Sequence, residues 1–152
     1  MTELTDIYNF LPLSDTLLTS GQPTEEQFSA LAKAGVQTVI NLALSTSTNA
    51  LRDEAGLVKS LGMEYYHFPV IWDKPSREAL DQFMDVMDSH AGRKMLVHCA
   101  ANMRVCTFVA LYRILRLGWS HDKAFKDVYR IWDPYEDEGW RKFIKSALGT
   151  KK

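Results

Sequence analysis

The chain has 152 residues, 46% of them hydrophobic and 24% charged, and carries a formal net charge of −1. That length and apolar content suit one globular domain, residues 1–152, and the near-neutral charge gives no general pull toward nucleic acid or an acidic membrane. No apolar run approaches a membrane span, Met1-Thr2-Glu3 lacks the basic start of a signal peptide, and two cysteines, Cys99 and Cys106, make no disulfide framework. A reduced, cytoplasmic protein that contacts neither nucleic acid nor membrane is expected.

In chain order, Asp15 to Ser20 reads as a short strand and Gly21-Gln22-Pro23 as a turn. Thr24 with Gln27 forms a capping box for a helix that stops near Gly35. Val36 to Leu42 is β-rich and apolar, the pattern of a buried strand. After the polar loop Ser45 to Asn49, a helix is predicted from Ala50 to Leu61. A strand follows from Tyr65 to Val70, then a loop from Trp72 to Pro75. Ser76 to His90 is amphipathic, with Leu80, Phe83, Met84 and Met87 on one helical face. Lys94 to His98 is a strand, and Arg104 to Leu117 a mostly buried helix. Ser120 caps another helix, and Asp133-Pro134-Tyr135-Glu136 reads as cap, first-turn proline and capping-box acid of a last one. The alternation implies an α/β fold: a mainly parallel sheet of four or five strands flanked by helices. Ligands of such sheets bind outside the carboxyl ends of the strands.

The run His98-Cys99-Ala100-Ala101-Asn102-Met103-Arg104 stands at such an end. Taken alone, a buried cysteine packs as a small hydrophobe. Arg104 argues for more, because a cation at the first turn of an apolar helix opposes the helix dipole unless an anion is bound there. A helix N-terminus with open backbone N–H groups stabilises a thiolate and an oxyanion alike, and an arginine can fork onto two oxygens of the anion. His67, His90 and His121 show no metal-ligand spacing, so neither metal nor other cofactor is expected. The tryptophans at 119, 132 and 140 and the pair Tyr65-Tyr66 read as core.

His-Cys, a short loop and Arg at a strand-to-helix turn resemble the phosphate-binding loop of the cysteine-dependent protein tyrosine phosphatases, with the dual-specificity branch nearest in size. Gly21-Gln22-Pro23-Thr24, Val39-Ile40-Asn41-Leu42 and His67-Phe68-Pro69-Val70 are similar to a small bacterial phosphatase-like family within that superfamily. The resemblance implies a dual-specificity-phosphatase-like fold and hydrolysis of a phosphorylated substrate in two steps. Cys99 would be the nucleophile, Arg104 the phosphate clamp, and Ala100, Ala101, Asn102, Met103, Arg104 and Val105 the oxyanion-binding loop. His98 would support the loop. Asp73 corresponds to the family's general acid and base, although an Asp before Lys-Pro is also an ordinary turn residue. Asp81 and Asp85 fall on a helix; Glu54, Asp133 and Asp137 are outside alternatives for the acid.

The loop departs from the family in three ways. Only Ala100 to Met103 separate Cys99 from Arg104, where most of these phosphatases place five residues. The loop has no glycine, which leaves Asn102 to accept a left-handed backbone. Val105 stands where a Ser or Thr usually aids departure of the thiolate. Weak turnover is therefore expected, with a module that binds phosphate, sulfate or a phosphoprotein without catalysis as the alternative. Rhodanese-like sulfur transfer is a second alternative, since a four-residue loop is typical there. Cys106 is a possible redox partner for Cys99, against plain helix packing.

Overall fold

The computed structural model describes residues 3–149, so both ends of the expected domain 1–152 lie outside the described residues. In chain order the elements are β1 (Leu11–Pro12), β2 (Leu17–Ser20), α1 (Glu25–Lys33), β3 (Thr38–Asn41), α2 (Glu54–Ser60) and β4 (Glu64–His67). They continue as α3 (Arg77–Ser89), β5 (Met95–His98), α4 (Met103–Leu115), α5 (His121–Val128) and α6 (Glu138–Leu148). Short 3-10 turns lie at Leu4–Asp6 and Pro134–Glu136.

The five strands form one sheet in the order β1-β2-β5-β3-β4. All pairs are parallel except β1 with β2, so the expected mainly parallel sheet is present. Ser20, His98, Asn41 and His67 stand opposite one another and mark the carboxyl edge. The strand leading into Cys99 is thus central, with neighbours on both sides.

Side-chain alternation then sorts the core. Ile40, Met95 and Val97 face the helices α3 to α6, with Phe83, Phe108, Phe125 and Trp140. Leu18, Val39 and Leu96 face the other side, with Phe28, Leu31 and Val58 of α1 and α2. By the same alternation His98 lies on the face of α1 and α2, where its ring meets Phe28 edge-on at 5.8 Å.

Caps set most helix starts. The Thr24–Gln27 capping box is complete, Ser76 accepts from the Ala79 amide, and Ser120 from that of Lys123. The strands expected over Val36 to Leu42 and Tyr65 to Val70 are shorter, and two helix starts differ from expectation by several residues. The helix expected from Ala50 begins at Glu54, because Asp53 is the side chain that caps it, through the Gly56 amide. Asp133 and Pro134 open only a 3-10 turn; the last helix waits for Asp137, which accepts from Trp140 N. Strand β1 has no counterpart among the expected elements: two residues are too few for a periodic pattern.

Gly21 follows β2 and bridges to Ala101. A Cβ there would lie 2.7 Å from the Ala100 carbonyl oxygen and 2.7 Å from the Tyr8 ring, so this glycine serves a close approach of two chains. Gly21→Ala is expected to destabilise the protein by about 1–3 kcal/mol, read as a lower urea midpoint with an unchanged slope.

Candidate active site

Cys99 immediately follows β5 and is 1% exposed. The next three residues turn the chain into α4, and Asn102 makes the turn with φ 68°, the left-handed conformation expected of it. Asparagine at a helix N-cap ordinarily caps the first turn with its own side chain. Here it does not. Its Nδ2 instead donates to the Asn9 carbonyl at 2.9 Å and to Thr19 Oγ1 at 3.0 Å.

The loop carbonyls are held from outside. Ala100 O accepts from the Gln22 amide at 3.2 Å and from Asn49 Nδ2 at 3.2 Å. Ala101 O accepts from Asn9 Nδ2 at 3.0 Å. Met103 O accepts from Thr107 Oγ1 at 2.9 Å and Trp132 Nε1 at 3.0 Å. The amides are in the opposite condition. Among the described residues, the N–H groups of Ala100, Ala101, Met103, Arg104 and Val105 find no acceptor. A run of open amides at a helix N-terminus is a cradle for an anion.

Arg104 adds a charge to the cradle. It is 7% exposed, and its Nη1 donates to the Val70 carbonyl at 2.8 Å. Among the described residues no carboxylate pairs with it. A buried cation without a counter-ion costs on the order of several kcal/mol, so the site favours an incoming anion.

Beneath the loop lies a buried pair. His98 Nε2 is 2.5 Å from Glu54 Oε2, and Glu54 Oε1 accepts from Gln22 Nε2 at 2.8 Å. Burial opposes ionisation of Glu54, but the hydrogen bond and charge of His98, with the Gln22 amide, hold its carboxyl below the ordinary value. Both carboxylate oxygens of Glu54 are thus engaged, one by His98 and one by Gln22. Asp133 and Asp137 are likewise engaged as caps, on the amides of Tyr135 and Trp140.

Asp73 lies exposed on the turn between β4 and α3. That turn is pinned at both sides: Val70 O by Arg104, and Trp72 O by Trp140 Nε1 at 3.0 Å. Cys106 is a buried thiol whose Sγ contacts Met103 O at 3.4 Å; burial first, then Cys99, push it above the usual thiol range. Both cysteines are free. Thr107 spends its hydroxyl on Met103 O, so it does not replace the one missing at Val105.

A cleft of about 490 Å³ opens over the ends of β3 and β4, lined by Asn41, Ser45, Arg52, Glu54, Tyr65 and His67 and by no residue of the loop itself. Within it Tyr65 accepts from Asn41 Nδ2; burial, opposed by that bond and reinforced by Glu54, pushes the phenol up to about 12. The residues that sequence reasoning missed are Asn9, Asn49 and Trp132. Each meets the loop from far along the chain, and of the three Asn9 alone has a positive φ, 50°, a conformation that asparagine favours.

Comparison with known proteins bears on this geometry. A family model described as a DSP-PTPase phosphatase fused to NAD+ kinase matches residues 11–144. Among curated proteins none matches. A solved DUF442 protein from Shewanella putrefaciens CN-32, described as a phosphatase, is 34% identical with a TM-score of 0.85, covering 96% of this chain and 95% of that one. The catalytic core of the PP-IP phosphatase SIW14 from S. cerevisiae, solved with citrate, has a TM-score of 0.73 at 19% identity, covering 91% and 85%. TpbA from P. aeruginosa, solved with pTyr, has a TM-score of 0.73 at 17% identity, covering 98% and 90%. At such identities the last two show the shared fold.

Two outcomes are expected. Inorganic phosphate at a hundred times its Kd should stabilise the protein by about 2.7 kcal/mol in thermal unfolding, and Arg104→Ala should abolish that gain. Glu54 has a lowered carboxyl pKa, so its stabilising pair is present above about pH 4.5 and lost as pH falls through the folded value. Urea titrations at stepped pH should show Glu54→Gln less stable than wild type at neutrality, with the gap closing in acid.

Proposed function

The chain belongs to the family described as DSP-PTPase phosphatases fused to NAD+ kinase, and from that premise we propose that it hydrolyses phosphomonoesters through a cysteinyl-phosphate on Cys99. The observation that carries the reading is the unpaired, buried Arg104 beside five open amides, directly after the cysteine. That combination suits the three peripheral oxygens of a phosphoryl group.

In the first step Cys99 Sγ attacks phosphorus and the bond to the leaving oxygen breaks, while Asp73 gives that oxygen its proton. The amides of Ala100 to Val105 and the Arg104 guanidinium hold the phosphoryl oxygens. In the second step Asp73 takes a proton from water, the water oxygen bonds to phosphorus, and the P–S bond breaks to release phosphate and the thiolate. The tether from Val70 to Arg104 supports Asp73 in this role, since it ties the acid's turn to the phosphate clamp. His98 supports the loop from below. Phosphotyrosine on TpbA and citrate on SIW14 favour an oxyanionic substrate for this chain as well. Two free thiols suit a reducing, cytoplasmic setting. No helix among the described residues is long and apolar enough to cross a membrane.

Val105 and the occupied Thr107 hydroxyl favour slow release of the intermediate. A second reading, an oxyanion- or phosphoprotein-binding module, rests on that observation. The two separate on one experiment. With an aryl phosphate, wild type should turn over and yield a trappable phosphocysteine, Cys99→Ser should do neither, and Asp73→Asn should lose on the order of 10²-fold in kcat. Wild type no faster than Cys99→Ser, with phosphate still raising the Tm, would establish binding without catalysis.

A further inference from the structure

His98 is fully buried, and each of its ring nitrogens faces an oxygen. Nε2 meets Glu54 Oε2 at 2.5 Å and Nδ1 meets the Cys99 carbonyl at 3.3 Å. A carbonyl only accepts, so a proton on Nδ1 is what makes that contact attractive. Nε2 is decided by Glu54. Gln22 uses Nε2 to donate to both Pro23 O, at 3.0 Å, and Glu54 Oε1, so Glu54 is already an acceptor on one oxygen. Its carboxyl is held below the ordinary value, which leaves the other oxygen an acceptor too. Each ring nitrogen thus faces an oxygen placed to accept from it.

The groups around the pair agree. From β4, Tyr65 stays a neutral phenol near Glu54, and His67 favours the Glu54 charge. From α1 the neighbour is the apolar Phe28 ring, and from the segment after β2 it is the neutral amide of Gln22. Among the described residues, Glu54 is the one carboxylate paired with His98.

We propose that Glu54 is a positioning residue for the nucleophile: its carboxylate keeps both protons on His98, so that Nδ1–H holds the Cys99 carbonyl and fixes the peptide that carries the thiol. Without Glu54 a buried imidazolium has no counter-ion and sheds a proton. One of the two contacts then goes, and the loop loses the brace at its first residue.

The kinetic half of this inference rests on the hydrolysis reading; the spectroscopic half does not. Ring-nitrogen NMR of the 15N-histidine protein, assigned by the signal absent from His98→Gln, should show two protonated nitrogens for His98 at pH 7. A non-protonated ring nitrogen on His98 at pH 7 overturns the proposal, whether or not the enzyme turns over and whether or not any variant folds. With an aryl phosphate, Glu54→Gln should lower kcat on the order of 10²-fold with KM little changed, and its activity should fall as rising pH removes the second His98 proton. Glu54→Asp, which keeps the charge, should recover part of kcat and the wild-type pH profile. A folded Glu54→Gln with wild-type kcat and pH profile also overturns it.

Discussion

Everything at the Cys99 loop depends on where its carbonyl groups are held. A peptide unit has its N–H and C=O on opposite sides, so fixing one end aims the other. Here the oxygens of Ala100 and Ala101 are drawn outward by the Gln22 amide and by the side chains of Asn49 and Asn9. The Ala101 amide, which shares its peptide plane with the Ala100 carbonyl, is thereby turned the opposite way. The close approach at Gly21 is the steric condition for this arrangement, because a side chain there would push Ala100 away.

Charge is layered around the same point. Arg104 lies buried and, among the described residues, pairs with no carboxylate, and below the loop Glu54 and His98 form a closed pair. The separation matters. Were a carboxylate such as Glu54 to reach Arg104, the clamp would be neutralised and the anion site lost. As built, the acid is committed to the histidine, and the guanidinium keeps its demand for an anion. The protein tolerates that demand because the rest of the core is well packed; functional sites commonly carry such local conflicts.

An aromatic clasp links the site to the C-terminal helices. Trp72, Trp132 and Trp140 lie within 5.0 to 5.9 Å of one another. Trp132 reaches the carbonyl at the start of α4, and Trp140 reaches the backbone beside Asp73. The helices after α4, whose sequence resembles the phosphatases less specifically, thus bear on both the Cys99 loop and the turn that carries Asp73. Of the tryptophans read from the sequence as core residues, Trp140 is fully buried and Trp119 and Trp132 are partly buried against the core; the indole N–H groups of Trp132 and Trp140 connect that core to the site.

Much of this was legible in the sequence because its physics is local. Caps at Thr24, Ser76 and Ser120, the apolar periodicity of α3, and the choice of Asn102 for a left-handed turn all act over a few residues. So does the spacing from Cys99 to Arg104, which identified an anion loop and its departures from the family. The last helix was misjudged by the same logic: the cap, proline and acid read at Asp133-Pro134-Tyr135-Glu136 open only a 3-10 turn, and the helix starts after Asp137. What only the tertiary structure decided is the brace. Asn9 meets the loop across 92 residues, Asn49 across 51 and Glu54 across 44. Their meeting depends on the strand order β1-β2-β5-β3-β4, which sets the segments after β2 and β3 on either side of β5. The sequence by itself therefore determined where Cys99 and Arg104 stand and the handed turn between them. Which distant donors hold the loop open, and which acid lies beneath it, followed from packing alone, since no residue-to-residue spacing encodes a contact made across a sheet.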